Sequence, residues 1–169
     1  DEKLITNSDP VDVRVNPSDN NEVIVGCKND VYLSDDYGET WTLETSGAIN
    51  KLPADAGRCE VTFCPSNANR IYIGMNRNNG EIWRSDDNGT TWSLINTGSE
   101  YMSSQGWYDN AIWVNPDNSS SLIVGGLDLY RSTDGGTNLT KISDWHNYHN
   151  GGSANSAHAD QHCIVEAAD

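Results

Sequence analysis

Ser85-Asp86-Asp87-Asn88-Gly89-Thr90-Thr91-Trp92 decides how this chain is read, because its pattern, S-x-D-x-G-x-x-W, returns at near-constant spacing. Ser34-Asp35-Asp36-Tyr37-Gly38-Glu39-Thr40-Trp41 is a second copy, and Ser132-Thr133-Asp134-Gly135-Gly136-Thr137-Asn138-Leu139 a third, with Leu139 in the place of the Trp. The three serines stand 51 and 47 residues apart, a period that marks stacked or radially arranged units. Ser and Asp side chains bond backbone amides a few residues on, and Gly supplies a positive φ, so the octapeptide reads as a rigid turn between two strands. An apolar Trp after the turn would fill the space between neighbouring sheets. In this arrangement Ser34, Asp36, Gly38, Trp41, Ser85, Asp87, Gly89, Trp92, Ser132, Asp134 and Gly136 are structural, and each Asp holds its turn rather than doing catalysis.

Strand patterns recur around each copy. Val11–Val15, Glu22–Gly26 and Val31–Leu33 precede the first turn, and Trp41–Leu43 follows it. Cys59–Cys64, Arg70–Gly74, Glu81–Arg84 and Trp92–Ile95 repeat the order, as do Ala111–Asn115, Ser121–Gly125, Leu129–Arg131 and Leu139–Ile142. Pro17, Pro65 and Pro116 align, and so do Gly26, Gly74 and Gly125. Four short strands per unit is the make-up of a propeller blade. The chain divides into a lead-in at 1–9, units at 10–50, 51–104 and 105–157, and the first strand of a further unit at 158–169. The polar stretch from Ser143 to Ala157 reads as a loop.

The three turns resemble Asp-boxes, the BNR repeats of sialidase-like and sortilin-like β-propellers. That resemblance implies an all-β propeller segment of about three four-stranded blades, with each box between the third and fourth strands on the outer rim. Residues 105–165, through Gly106-Trp107-Tyr108-Asp109, Gly125-Gly126 and His158-Ala159-Asp160-Gln161-His162, are most similar to secreted BNR-repeat proteins of Bacteroidota, many labelled glycosyl hydrolases on repeat similarity. It implies an exported or cell-surface bacterial protein and leaves the ligand open. Because propellers close with about four to eight blades, the expectation is a segment completed by the remaining blades of a longer chain or by another copy.

Composition narrows the partners. A formal charge of −15 with only 10 Lys and Arg argues against nucleic acid, whose phosphates need cations to displace their counterions. No apolar run reaches the ~20 residues of a spanning helix. Abundant Gly and six Trp suit short strands and many turns. Cys27, Cys59, Cys64 and Cys163 form no CxxC pair, and free or paired states are both open.

Chemistry concentrates at the entrances to inner strands. Asp109 and Asp160 are the candidate catalytic carboxylates if their units are adjacent, as a glycosidase requires, and Trp107 and Tyr108 the candidate sugar platform. The other reading is an Asp that anchors the inner loop and aromatics that pack between blades. Alternation along His158-x-Asp160-x-His162 would place three side chains on one strand face, about 7 Å apart in succession. That row could line the channel, hold a ligand, or with a bend bind a transition metal; calcium, drawn by the acidic surface, is the other cation considered. No motif demands a cofactor. A glycan or a protein is the expected ligand, with recognition scaffold, propeller-type glycoside hydrolase and structural part of a secretion or adhesion assembly as the three functions. Arg84 and Arg131 precede boxes and the sialidase Arg-Ile-Pro signature is absent, which disfavours a sialidase. The sequons at Asn88, Asn118 and Asn138 are assigned no role.

Overall fold

The computed structural model describes residues 8–149 and 156–167. Expectations for residues 1–7, 150–155 and 168–169, which touch the lead-in, the polar loop and the final strand, lie outside the described residues. Among the described residues, twelve strands form three antiparallel sheets, each in the simple order of the chain. The first holds β1 (Pro10–Asn16), β2 (Asp19–Cys27), β3 (Val31–Ser34) and β4 (Thr42–Leu43). The second holds β5 (Cys59–Cys64), β6 (Asn67–Met75), β7 (Glu81–Ser85) and β8 (Ser93–Asn96). The third holds β9 (Ala111–Asn115), β10 (Asn118–Gly125), β11 (Leu129–Ser132) and β12 (Thr140–Lys141). The first strands of consecutive sheets lie side by side, β1 against β5 and β5 against β9, so the sheets fan out from a common inner line.

The repeated turns do what their residue types dictate. In the second, Ser85 Oγ accepts the Gly89 amide at 2.8 Å and donates to Asp87 Oδ1 at 2.8 Å. Asp87 in turn accepts the Thr91 amide at 2.8 Å and the Thr91 hydroxyl at 2.7 Å. The first turn repeats this with Ser34, Asp36, Gly38 and Thr40, and the third with Ser132, Asp134, Gly136 and Asn138. The φ of +83° at Gly89 is a region where a side chain is strained, and a Cβ there would stand 2.7 Å from Leu33 Cδ2. These donors hold the Asp36 and Asp134 carboxyls below the usual range, Asp134 at about 2, and the same kind of donors lower Asp87 against its burial.

Two cores lie between the sheets. Ile24, Val31, Val61, Ile71, Ile73 and Trp92 pack between the first and second. Tyr72, Ile82, Ile112, Val114, Leu122 and Val124 pack between the second and third. The shared glycine before each third-strand loop is a close approach: a Cβ on Gly26 would meet Cys59 O of the next sheet at 2.1 Å. All four cysteines are free thiols, Cys27, Cys59 and Cys64 buried and Cys163 exposed.

Three expectations are corrected. Residues 158–165 do not form a strand; among the described residues, 156–167 run without regular structure. The left-handed φ of +72° at Asp160 turns the chain there and destroys the two-residue alternation that a strand would need. The polar loop after Ile142 includes, among its described residues, a short helix, α1 (Trp145–His149). Of the two box tryptophans only Trp92 fills an inter-sheet gap, at 5% exposure; Trp41 stands half-exposed, on a sheet face with no sheet against it among the described residues.

Candidate functional site

The segment entering β9 is wound into successive turns. The Gln105 amide donates to Met102 O, and the Tyr108 and Asp109 amides both donate to Gln105 O, at 2.7 and 2.9 Å. Tyr101 and Met102 are thereby sunk into the second core, whereas Trp107 and Tyr108 face outward at 67% and 45% exposure. Gly106 permits this because its backbone runs over Asn76, whose Oδ1 would be 2.5 Å from any Cβ. The two rings sit 5.5 Å apart and tilted, and His162 meets Tyr108 in a T-shaped pair with ring centres 4.5 Å apart. The result is an exposed aromatic shelf.

Arg58, at the entrance to β5, secures the shelf from the neighbouring sheet. Its guanidinium donates to Tyr108 O at 2.7 Å through one nitrogen, and to Glu60 Oε1 at 3.1 and 2.8 Å through the others. Glu60 is itself buried, and its carboxyl is pushed up to about 7, mainly by burial; Arg58 opposes this and the nearby Asp12 carboxyl adds to it. Beside Trp107 is a hollow of about 340 Å³, lined by Lys28, Asn29, Gly57, Arg58 and Asn76. No motif in the sequence marks Arg58, Lys28, Asn29 or Asn76 as site residues. Their one signal was a shared position in the loops that face the same mouth.

Asp109 and Asp160 are brought together. Asp109 is fully buried, and neither carboxyl oxygen receives a donor from the described residues. Burial pushes its carboxyl up to about 6; the charge of the nearby Asp160 adds to this, while His162 and Arg58 oppose it. Asp109 is thus neither locked into backbone hydrogen bonds nor open to solvent. The segment carrying Asp160 lies on the third sheet through the Gln161 amide, which donates to Gly126 O at 3.0 Å.

The His-Asp-His row is not realised. His158 is exposed, with Nδ1 2.9 Å from Ala159 O, and it lines a separate hollow of about 250 Å³ with Gln105, Leu127, Trp145 and Asp160. His162 is turned to Tyr108 instead. Among the described residues no three His, Cys, Asp or Glu side chains converge as metal ligands would. No helix among them is long and apolar enough to cross a membrane.

The same chain can be set beside known proteins. A xyloglucanase of Hypocrea jecorina (strain QM6a) is 33% identical over 121 residues, which is 63% of this chain and 14% of that protein. An ancestral GH74 enzyme superposes with a TM-score of 0.62 at 18% identity, covering 82% of this chain and 19% of its own. YCF48 bound to D1 peptide superposes with a TM-score of 0.65 at 19% identity, covering 85% and 42%. This chain therefore spans about a seventh of the curated relative and less than half of either structure, and the structural likeness establishes the fold, a β-propeller segment. The family described as Sortilin-Vps10 (Sortilin, neurotensin receptor 3) matches residues 29–168. With the three Asp-box turns and four-stranded sheets falling within or beside that span, this chain belongs to the Sortilin-Vps10 family.

Proposed function

We propose that the chain is a recognition scaffold of an exported or cell-surface protein, and that it binds a carbohydrate at the shelf of Trp107 and Tyr108. The observation that carries this reading is the exposed indole of Trp107 beside the 340 Å³ hollow. An indole face stacks on the C–H face of a sugar ring, while Asn29, Asn76 and Arg58 supply amide and guanidinium donors for hydroxyls. Similarity to a xyloglucanase supports a β-glucan as the ligand class. The acidic, Gly-rich and Trp-rich composition supports the exported setting.

A hydrolase reading finds its carboxyl pair in Asp109 and Asp160, and the raised Asp109 suits a general acid. Glycosidase carboxyls stand about 5 to 10 Å apart so that the sugar fits between them. Here Asp109 is sealed from solvent, an arrangement that suits closing the inner loop rather than attacking a glycosidic bond. Calorimetric titration with xyloglucan oligosaccharides tests the binding proposal. Trp107→Ala is expected to weaken binding at least about tenfold, the loss of roughly 1.4 kcal/mol. Equal binding by the variant, or none by the parent chain to any oligosaccharide tried, would overturn the site.

A further inference from the structure

The hollow beside Trp107 is opposite in charge to the chain around it. The chain holds 10 Lys and Arg against 25 Asp and Glu, yet the lining of this hollow includes Lys28 and Arg58 and, among the described residues, no carboxylate. Arg58 is already engaged, since its three nitrogens donate to Glu60 Oε1 and Tyr108 O. Lys28 is placed differently. It stands in the loop between β2 and β3, whose backbone is pinned by the Lys28 amide donating to Asp9 O at 3.0 Å and the Cys27 amide to Asp30 O at 2.8 Å. Its side chain leaves that fixed backbone and stays 61% exposed.

What occupies the ammonium shows what it takes. Lys28 Nζ donates to Asp9 Oδ2 at 2.5 Å, and this contact holds the Asp9 carboxyl below its usual range. The Asp9 side chain is itself 73% exposed. An ion pair between two solvent-exposed side chains is weak, so a carboxylate brought from outside can exchange with Asp9. A sugar stacked on the Trp107 indole lies in the same hollow as this ammonium. A neutral glucan offers it only hydroxyls, whereas a unit oxidised at its exocyclic carbon offers a carboxylate, and a hydrogen bond between two charged groups is the stronger of the two.

We propose that the hollow selects an acidic β-glycan whose units carry carboxylates, that Lys28 reads the carboxylate, and that Asp9 holds its place in the free chain. The proposal rests on the reading of the Trp107 shelf as a carbohydrate site. The overall charge of −15 repels such a ligand at a distance, but at about 0.15 M ionic strength screening acts within about 8 Å. Contacts inside the hollow therefore decide the preference.

The test is calorimetric titration, at about 0.15 M salt, with β-linked glucuronate oligosaccharides and with neutral gluco-oligosaccharides of the same linkage and length. The two series differ only in the carboxylate. The parent is expected to bind the acidic series at least about fivefold more tightly. Lys28→Gln should bring the two series level by weakening the acidic one alone, and Lys28→Arg, which keeps the charge, should keep the preference. Asp9→Asn removes the competing carboxylate and should tighten the acidic series about twofold or more, with the neutral series unchanged. Trp107→Ala should weaken both. Equal affinity of the parent for the two series overturns the proposal and leaves the shelf standing, whereas binding of neither overturns both. A preference that survives Lys28→Gln overturns it too, and so does acidic binding untouched by Trp107→Ala, which would mean an anion held apart from any sugar. Lys28 and Asp9 are solvent-facing, and circular dichroism verifies that their variants fold.

Discussion

Asp109→Asn should leave the fold more stable than the parent at neutral pH, which is the reverse of what removing a buried charged side chain commonly does. The Asp109 carboxyl has an ordinary value of 3.8 and is raised to about 6 in the fold. The unfolded chain therefore gives up its proton near pH 4 while the folded chain keeps it until near pH 6. Stability is full below the unfolded value and falls as pH rises from about 4 through about 6. Because Asp109 is fully buried, solvent screening takes little from this, and the shift corresponds to roughly 3 kcal/mol lost by the time the carboxyl is ionised. Asn has nearly the same shape and carries no charge. Urea unfolding followed by tryptophan fluorescence, on parent and variant from about pH 4 to about pH 7, should show the parent losing roughly 2 to 3 kcal/mol relative to Asp109→Asn. A difference that does not change with pH, or a variant less stable than the parent at pH 7, would refute the account of Asp109 as a buried carboxyl raised by its burial.

Other outcomes follow from the same geometry. Glu60→Gln should remove a second slope of the same sign, extending to about pH 7, because burial also raises the Glu60 carboxyl; melting curves of the parent and Glu60→Gln at pH 5 and pH 8 check it. Asp134→Asn should instead abolish an acid limb, since a lowered carboxyl contributes stability above its unfolded value that is lost as pH falls toward about 2; acid titration monitored by circular dichroism reads this. Gly89→Val should cost about 3 kcal/mol or more, combining the +83° φ with the clash on Leu33, and an unchanged melting temperature would count against the tight-turn reading. Trp92 Nε1 donates to Glu44 Oε2 at 2.9 Å, so Glu44→Ile and Trp92→Leu should each destabilise, yet the double variant should lose about 1 to 2 kcal/mol less than their sum, because it leaves neither partner of that bond unmatched; simple additivity in denaturant melts would show that the two residues do not act together.

The fold was legible because its determinants are local. Ser85, Asp87, Gly89 and Thr91 make their turn with one another, so an octapeptide carries the whole instruction, and three copies at one period supply the architecture. The site was legible only in part. Asp109 and Asp160 were read together on the condition that their units are adjacent; the structure sets them near each other, with Asp160 on an irregular segment rather than on a strand of a further unit. The misread strand at 158–165 has a physical cause: His-Ala-Asp-Gln-His carries a strand-like alternation, yet the close approach of Gln161 to Gly125 and its bond to Gly126 impose a turn at Asp160. Tertiary contact overrode pattern there. Glu60 and Arg58 were not read as part of the shelf, because the bond from Arg58 to Tyr108 O spans 50 residues and no spacing rule reaches that far.

That same guanidinium makes the shelf a property of a joint rather than of a unit. Residues 105–142 carry the two rings, but their backbone seat is Arg58, oriented by Glu60 of the sheet before. Duplicating or transplanting the third unit alone would copy Trp107 and Tyr108 and leave their anchor behind. A lineage, or an engineer, shuffling these repeats could move the recognition surface only by moving two neighbours at once, and every junction made otherwise would inherit aromatic rings with nothing to hold their angle.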